Sequence, residues 1–404
     1  MKGGIEMKVH VRSGDSLWYY SRLFMIPLNL IIDSNPGLNP NNLNIGREVN
    51  IPGFKVQTYT IKKGDTFWKL SEARHLSVDA LLLLNQQVNP NQLQAGTKIQ
   101  IPVRVFSSVV NGKRRYNFEA LSADISQLQE VYPFIKVETI GKSVLGKPIQ
   151  EIRFGKGTKK VHFDASFHAN EWITSGVLMM LVNQFLLSLT NSMPIRGLQT
   201  MPLYQAVDLS IVPMVNPDGV DLVIDGPPAE VREEVIRINK GSTDFTGWKA
   251  NIRGVDLNNQ FPAKWEVEKE RKEEKEPAPR DFPGTAPLTE PESIAMANLA
   301  RERQFDRLLA FHTQGEEFYW GYEGMEPPES RVLAAEFSRV SGYQSVQYID
   351  SYAGYKDWFI KEFRRPGFTI ELGKGINPLP LSQFDEIFQK VLGIFLAAMY
   401  VQAS

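Results

Sequence analysis

Residues 161–171 read Val-His-Phe-Asp-Ala-Ser-Phe-His-Ala-Asn-Glu, an apolar strand that ends in two potential metal ligands. A helical pattern over residues 172–189 follows at once. Strand and helix go on alternating along the chain. Further apolar strands lie at residues 209–215, 308–311 and 368–372, and a second long helical pattern covers residues 384–401. This alternation predicts an α/β domain with a buried, largely parallel or mixed sheet flanked by helices.

The spacing of His168 and Glu171 lets both side chains turn toward one point beyond the strand end. Two nitrogen or oxygen ligands plus a third, with a fourth position open, form the usual catalytic zinc pattern. Of the five histidines in the chain, His312 ends the strand at residues 308–311 and is the natural third ligand. His-x-x-Glu alone is weak evidence, and a purely structural role for the pair remains open at this point.

Four further segments strengthen the metal-site interpretation. They are Asn216-Pro217-Asp218-Gly219, Arg253-Gly254-Val255-Asp256-Leu257-Asn258-Asn259, His312 itself and Phe368-Thr369-Ile370-Glu371-Leu372. In this order and spacing they resemble the zinc carboxypeptidase (carboxypeptidase A-like) family, over about residues 110–402.

The resemblance implies one Zn²⁺ ion held by His168, Glu171 and His312. It implies that Asp256 holds His168 in one tautomer from behind. It also makes Glu371 the general base that takes a proton from water and passes it to the leaving amine. The competing interpretation of Glu371 is an ordinary charge at a strand end.

One catalytic position departs from the family pattern, and another has several candidates. Where most members carry an arginine after a tryptophan, this chain has Trp248-Lys249, so Lys249 is the expected electrophile and Arg253 the fallback. For the mobile tyrosine of the family, Tyr348, Tyr352 and Tyr355 compete. An ungapped match falls next to Tyr348, and Tyr348 is the residue assigned to that role. The alternative is an aromatic that only packs.

A second departure bears on the substrate. Carboxypeptidases that trim ordinary proteins carry Asn-Arg to clamp a free C-terminal carboxylate, and this chain has Asn258-Asn259. An uncharged amide is a weaker anchor for a carboxylate than the bidentate guanidinium. We therefore expect Arg253, Asn258 and Asn259 to contact substrate, without recognition of a terminal carboxylate.

The first hundred residues are a tandem duplication with a shift of 50 residues. Each copy reads strand–helix–helix–strand, with a Gly-Asp-Ser/Thr turn, an Asn-Pro turn and a closing Ile-Pro. The copies resemble LysM (lysin motif) domains over residues 7–53 and 57–103, which implies two small βααβ modules that bind N-acetylglucosamine-containing glycans. The alternative is a duplicated packing module without a ligand. The expected glycan-binding residues are Gly14, Asp15, Ser16, Asn41 and Leu43 in the first copy, and Gly64, Asp65, Thr66, Asn91 and Leu93 in the second.

LysM repeats joined to a carboxypeptidase-like domain resemble the bacterial γ-D-glutamyl-L-diamino acid endopeptidases. That resemblance implies a peptidoglycan substrate, its glycan strand bound by the repeats and its stem peptide cut by the domain at residues 110–402. Lys249, Arg253 and Lys356 are candidate contacts for the carboxylates of the stem. A carboxypeptidase that removes one terminal residue is the first alternative. A non-catalytic protein that binds the wall or the spore coat is the second, from another class.

Composition excludes several other classes. The net charge of −1 and the lack of a Lys/Arg tract argue against nucleic acid as a partner. Absence of cysteine excludes disulfides, thiolate metal sites and a cysteine nucleophile. Residues 1–6 lack the apolar core of a signal peptide, and we expect no membrane-spanning stretch. With a cell-wall or spore location, a trimmed leader or cytoplasmic synthesis with release by lysis, as in spore formation, would each fit.

Two charged stretches are interpreted as structural. Residues 264–280 hold six acidic and six basic side chains, including Glu268 and Lys272 four apart, which predicts a solvated helix; a flap that faces substrate is the alternative. The spacing of Thr289 and Glu292 predicts a capping box at the start of the next helix.

Overall fold

The computed structural model describes residues 5–402. The first four residues, on which the expectation about a leader partly depends, lie outside the described residues. The described chain forms two compact units. The first contains the residues up to Val110, Ile125–Lys136 and Asn183–Met201; the second contains Asn111–Asp124, Val137–Val182 and the chain from Pro202 onward.

The first unit contains both repeats, and each has the predicted strand–helix–helix–strand order. The strands are β1 (Ile5–His10), β2 (Glu48–Thr60) and β3 (Lys98–Arg104), and the helices are α1 (Leu17–Phe24), α2 (Leu28–Asp33), α3 (Phe67–Glu72) and α4 (Val78–Leu84). One antiparallel sheet serves both repeats, because β2 pairs with β1 through its first half and with β3 through its second. The closing strand of the first repeat is thus continuous with the opening strand of the second.

Residues beyond the repeats also belong to this unit, and Arg104 shows why. Its guanidinium donates to the Asn191 side chain at 2.9 Å and to the Thr190 carbonyl at 2.7 Å. Gly53 lies so close to Thr190 that a Cβ there would stand 2.8 Å from the threonine Cβ. The end of a long helix therefore packs with the repeats.

The second unit is built on an eight-stranded mixed sheet. Its strands are β4 (Lys136–Lys142), β5 (Pro148–Gly155), β6 (Lys159–Ala165), β7 (Val207–Val212), β8 (Arg307–His312), β9 (Glu317–Tyr319), β10 (Gln344–Val346) and β11 (Gly367–Glu371), in the order β10-β9-β11-β8-β6-β7-β5-β4. The α-helices of this part of the chain are α5 (Phe118–Val131), α6 (Ile173–Asn191), α7 (Thr200–Ala206), α8 (Pro217–Asp225), α9 (Arg232–Ile238), α10 (Trp265–Arg271), α11 (Pro291–Arg303), α12 (Glu329–Ser341), α13 (Tyr355–Phe363) and α14 (Phe384–Tyr400). Short 3₁₀ turns lie at Ala169–Glu171, Ala229–Val231, Leu257–Asn259 and Leu381–Gln383.

The centre of this sheet is parallel: β11, β8, β6 and β7 run in one direction. On one side of the centre β9 is antiparallel to β11 and parallel to β10, and on the other side β5 is antiparallel to β7. The predicted α/β class with a mixed sheet is confirmed. All six residues of β8 are buried, as expected for a strand covered on both faces. The carboxyl ends of β6, β8 and β11 meet at one edge, where parallel α/β sheets form their ligand crevices.

Helix α6 corrects one expectation. By length and composition it is apolar enough to cross a membrane, although no stretch of that kind was expected. Within the protein 83% of its most apolar window is buried. The core helix of a globular domain has this character, because it is apolar all round.

The two charged stretches differ in part from the prediction. The Glu268–Lys272 ion pair forms at 3.2 Å, but Glu268 is buried, so the stretch is not simply solvated. The capping box was wrong: α11 begins with Pro291 after Glu290, without a side-chain cap. Thr289 instead donates to the side chain of Gln260, and the Glu292 carboxylate accepts the backbone N–H of Val144.

Candidate active site

Three neighbouring parallel strands bring the predicted metal ligands and the predicted base to one edge of the sheet. His168 and Glu171 follow β6 and are separated by a 3₁₀ turn, while His312 is the last residue of β8. The turn is fixed from outside, because the Ala169 N–H donates to the Lys249 carbonyl at 3.0 Å. Glu371 ends β11 and pairs in register with His312.

The three ligand side chains converge and are buried. One ligand atom from each lies within 4.8 Å of the others. The Glu171 carboxylate is 2.9 Å from His168 Nδ1 and 3.0 Å from His312 Nδ1, and the two Nδ1 atoms are 3.2 Å apart. Burial alone would raise the pKa of Glu171, but the two histidines outweigh it and hold the pKa well below its usual range.

This donor set fits Zn²⁺. Two imidazole nitrogens and one carboxylate aimed at one point, with a cavity beside them, are the ligands of a catalytic zinc site with an open position. On the far side of the ring, His168 Nε2 faces Asp256 Oδ1 at 3.2 Å. A proton held there leaves the Nδ1 lone pair for a metal, as carboxylate–histidine–zinc arrangements require.

Glu371 is a half-buried residue beside the cluster, and its buried Oε2 atom has no hydrogen-bond partner among the described residues. Burial, reinforced by the negative charges of Glu171 and Glu317, raises the pKa of Glu371 to about 8, while His312 and Lys249 act in the opposite direction. A cation bound at the cluster would lower the pKa of Glu371, as His312 and Lys249 do.

Lys249 supplies a positive charge next to the cluster. Its Nζ lies 4.0 Å from Asp256 Oδ2, and its side chain is 18% exposed. The backbone N–H of Lys249 donates to the Pro279 carbonyl at 2.8 Å, so the main chain there is held at both its N–H and its carbonyl. The ammonium can therefore reach the cavity from a fixed backbone.

A cavity of about 180 Å³ opens beside the cluster. Its lining residues are His168, Lys249, Asp256, Asn258, Asn259, Lys272, Asp281, Tyr319, Ile349, Ser351, Gly354, Lys356, Asp357, Thr369 and Glu371. The described lining contains three lysines and no arginine. Bidentate guanidinium recognition of a carboxylate is therefore absent from this lining.

Some of the predicted substrate contacts lie in this cavity and others do not. Asn259 is buried and lines it, while Asn258 lines it but accepts the Tyr355 N–H at 3.0 Å and so also has a structural role. Arg253 is not among the lining residues; its side chain is 54% exposed and lies 3.5 Å from Glu290. Tyr348 lies outside the lining as well, with its hydroxyl donating to Glu326 at 2.6 Å.

Sequence reasoning assigned no role to several lining residues, among them Tyr319, Lys272 and Asp281. Tyr319 ends β9, with its hydroxyl donating to Glu317. Lys272 and Asp281 come from the charged stretch after α10 and form an ion pair at 3.4 Å. Only the alternative of a substrate-facing flap at residues 264–280 pointed toward the cavity, and it predicted no position for individual side chains.

In the expected glycan-binding loops, side chains hydrogen-bond to nearby backbone groups of the same loop or of the helix that follows. Ser16 and Thr66 accept the N–H groups of Tyr19 and Lys69, each at 3.1 Å, and cap α1 and α3. Gly14 and Gly64 both have φ near +86°, where a side chain would be strained.

The two aspartates of these loops also bind locally. Asp15 and Asp65 accept the N–H groups of Arg12 and Lys62 at 2.9 and 2.7 Å. Arg12 binds both oxygens of Asp79 in the second repeat at 2.7 and 2.8 Å, so it joins the two repeats.

In the second half of each repeat, the Asn41 and Asn91 side chains are exposed. Leu43 and Leu93 are half-buried, and Leu93 packs on the core of its repeat.

Family models match most of the chain. The zinc carboxypeptidase model matches residues 121–392, and the LysM domain model matches residues 9–52 and 59–102.

Two relatives cover most of the sequence. A γ-D-glutamyl-L-diamino acid endopeptidase 1 from Lysinibacillus sphaericus is 60% identical over 98% of this chain and 100% of its own. The uncharacterized protein YqgT of Bacillus subtilis is 49% identical over 74% of this chain and 81% of its own.

Among solved structures, bovine thrombin-activatable fibrinolysis inhibitor superposes with a TM-score of 0.57 at 19% identity. The match covers 71% of this chain and 97% of that one, and it supports the fold alone.

Proposed function

The chain belongs to the zinc carboxypeptidase family, and on that premise we propose that it cleaves the γ-D-glutamyl-L-diamino acid bond of peptidoglycan stem peptides, held at the wall by its two LysM modules. Family membership and the identity to the Lysinibacillus enzyme make it a zinc metallopeptidase. The relative's name supports the choice of bond, because this chain aligns with the whole of that protein.

One observation about the cavity carries the proposal. The buried His168–Glu171–His312 cluster and Glu371 face a space in which Asn259, and no arginine, stands where a terminal carboxylate would be clamped. Hydrolysis is supported by the cluster and the base. Trimming of ordinary C-termini is disfavoured by the missing clamp.

His168, Glu171 and His312 would hold the zinc. When bound, the ion supplies a Lewis acid that polarises the scissile carbonyl and makes water a stronger nucleophile near neutral pH. Glu371 accepts the proton of the attacking water and delivers it to the leaving amine. Lys249 balances the negative charge that develops on the carbonyl oxygen. Asp256 keeps His168 oriented.

The LysM modules would bind the glycan strand, and the second unit would bind the stem. Two weak sites on one polymer raise the effective concentration of the cleavable bond without any new contact. This arrangement supports a cell-wall location for the protein.

Mass spectrometry of purified tripeptide and tetrapeptide muropeptides, with and without a zinc chelator, tests the proposal. We expect chelator-sensitive release of fragments that begin with the diamino acid. Loss of only the residue that follows the diamino acid in the tetrapeptide would instead identify a carboxypeptidase, and intact stems would contradict both.

A further inference from the structure

Lys272 is a cation of the cavity that no catalytic role uses. It follows the last residue of α10, and its backbone N–H donates to the Glu268 carbonyl at 3.1 Å. Its side chain is 22% exposed and lines the same cavity as His168 and Glu371. A charged stretch that looks solvated in the sequence thus delivers an ammonium group to the candidate active site.

The ammonium of Lys272 is held in place but retains capacity to bind a ligand. Its Nζ lies 3.2 Å from Glu268 Oε1 and 3.4 Å from Asp281 Oδ1. A lysine has three donors, so two long contacts leave at least one donor for another acceptor. Burial alone would lower the pKa of Lys272, but Asp256, Asp281 and Glu268 outweigh it and raise the pKa. The group is therefore charged at neutral pH.

Lys272 and Lys249 line the same cavity, and the contacts of Lys272 place it near Lys249. Lys272 pairs with Asp281 at 3.4 Å. On either side of Asp281 along the chain, the Pro279 carbonyl accepts the Lys249 N–H and the Phe282 carbonyl accepts the Asp256 N–H, each at 2.8 Å. The third lysine of the cavity, Lys356, belongs to another ion pair, with Asp357 at 2.6 Å. Lys272 therefore lies on the Lys249 side of the cavity, where the carbonyl of the substrate would sit.

The chemistry of a γ-glutamyl bond matches this arrangement. Linkage through the side-chain carboxyl leaves the α-carboxylate of D-glutamate free. Two methylene groups and the α-carbon separate that carboxylate from the scissile carbonyl. A cation next to Lys249, which faces the scissile carbonyl, can therefore reach this α-carboxylate. An α-linked peptide has no free carboxylate at that position.

On this basis, and resting on the proposed function, we propose that Lys272 binds the free α-carboxylate of the D-glutamyl residue on the acyl side of the scissile bond. Lys272 then selects stems in which this group is an acid over stems in which it is an amide. The preference arises because a charge-assisted hydrogen bond to a carboxylate is stronger than one to a neutral amide.

The test compares two synthetic peptides, L-Ala-γ-D-Glu-diamino acid and its counterpart with D-isoglutamine. Full-length zinc-loaded wild type, Lys272→Gln, Lys272→Arg and the control Lys275→Gln are assayed for kcat/KM on both. Lys275 is exposed on the same segment, and its ammonium donates to the carbonyls of Lys269 and Glu270. We expect wild type, Lys272→Arg and Lys275→Gln to prefer the acid by about tenfold or more. Lys272→Gln should show a ratio near one, through loss on the acid alone.

Two outcomes overturn the assignment while leaving the proposed function intact. One is a wild type that cuts both peptides equally. The other is a Lys272→Gln variant that is weaker on both by the same factor, which would show a structural role through Glu268. A wild type that cuts neither peptide refutes the proposed function itself. Lys272→Met, checked by thermal melting, replaces the glutamine variant if that protein does not fold.

Discussion

The LysM repeats and the metal cluster differ in how far apart along the chain their interacting residues lie. In the repeats, Ser16 and Thr66 each cap the adjacent helix by accepting an N–H group three residues further along the chain. In the cluster, His168 meets His312 across 144 residues. Short-range pairing is repeated in each module, so we expect the loss of one cap to be tolerated. The cluster and its base depend on the register of three strands, so we expect a single change there to remove the chemistry.

The largest effect is expected from Glu371→Gln, which breaks the long-range side of the comparison. The change removes the proton acceptor and preserves the side-chain volume. We expect kcat to fall by roughly 10²–10⁴-fold, with binding to isolated cell walls unchanged.

The control for this variant is Glu302→Gln, at an exposed glutamate of α11. It should match wild type in muropeptide release and in wall sedimentation. Full hydrolysis by Glu371→Gln would refute the assignment of the base.

A buried carboxyl away from the cluster gives a pH test of the second unit. Burial raises the pKa of Glu292 to about 7 in the folded protein, whereas in the unfolded chain it is near 4.3. The folded state then binds more protons between these values, so the free energy of unfolding falls as pH rises through this window and levels off above it.

Glu292→Gln should remove most of that fall, which amounts to on the order of 3 kcal/mol. Denaturant unfolding of both proteins at pH 5 and pH 8 measures it. An equal pH dependence in the two proteins would show that Glu292 does not cause it.

Asp256→Asn tests whether Asp256 orients the predicted zinc ligand His168. The amide keeps the shape but weakens the hold on His168 Nε2. We expect the Zn²⁺ affinity to fall by about 10–100-fold, measured by competition with a chromophoric chelator. Unchanged affinity would mean that Asp256 does not orient the ligand.

The smallest effect is expected from changes to the short-range helix caps of the LysM repeats. Ser16→Ala and Thr66→Ala each remove one helix cap and should cost about 1 kcal/mol of unfolding free energy. Cleavage of a small stem peptide should not change. Ser13→Ala, at the exposed neighbour in the same loop, is the matched control. A loss of peptidase activity in the cap variants would show that the repeats affect the site directly.

The same contrast explains what the sequence could predict. Strands 161–165, 308–311 and 368–372 and helix 384–401 lie within two residues of observed elements, because apolar periodicity is a local property. The strand at 209–215 ends three residues earlier, at Val212, because the chain then turns into α8.

Site residues could be predicted from the sequence only where they lie in motifs whose order matches the family. His168, Glu171, His312, Asp256 and Glu371 lie in segments with recognisable neighbours, and the fold brings them together. Lys272 and Asp281 lie in a charged run without such a motif, and only the tertiary path of residues 264–283 shows that they reach the cavity. Thr289 and Glu292 do not form a capping box because their side chains bond to Gln260 and to the Val144 N–H, which are distant along the chain.

The most direct test of the central claim is an anomalous difference map at the zinc edge from crystals of the full chain. We expect one peak, within bonding distance of His168 Nδ1, the Glu171 carboxylate and His312 Nδ1. A site without a peak in zinc-loaded protein, or a zinc ion bound elsewhere with these three residues empty, would contradict the account.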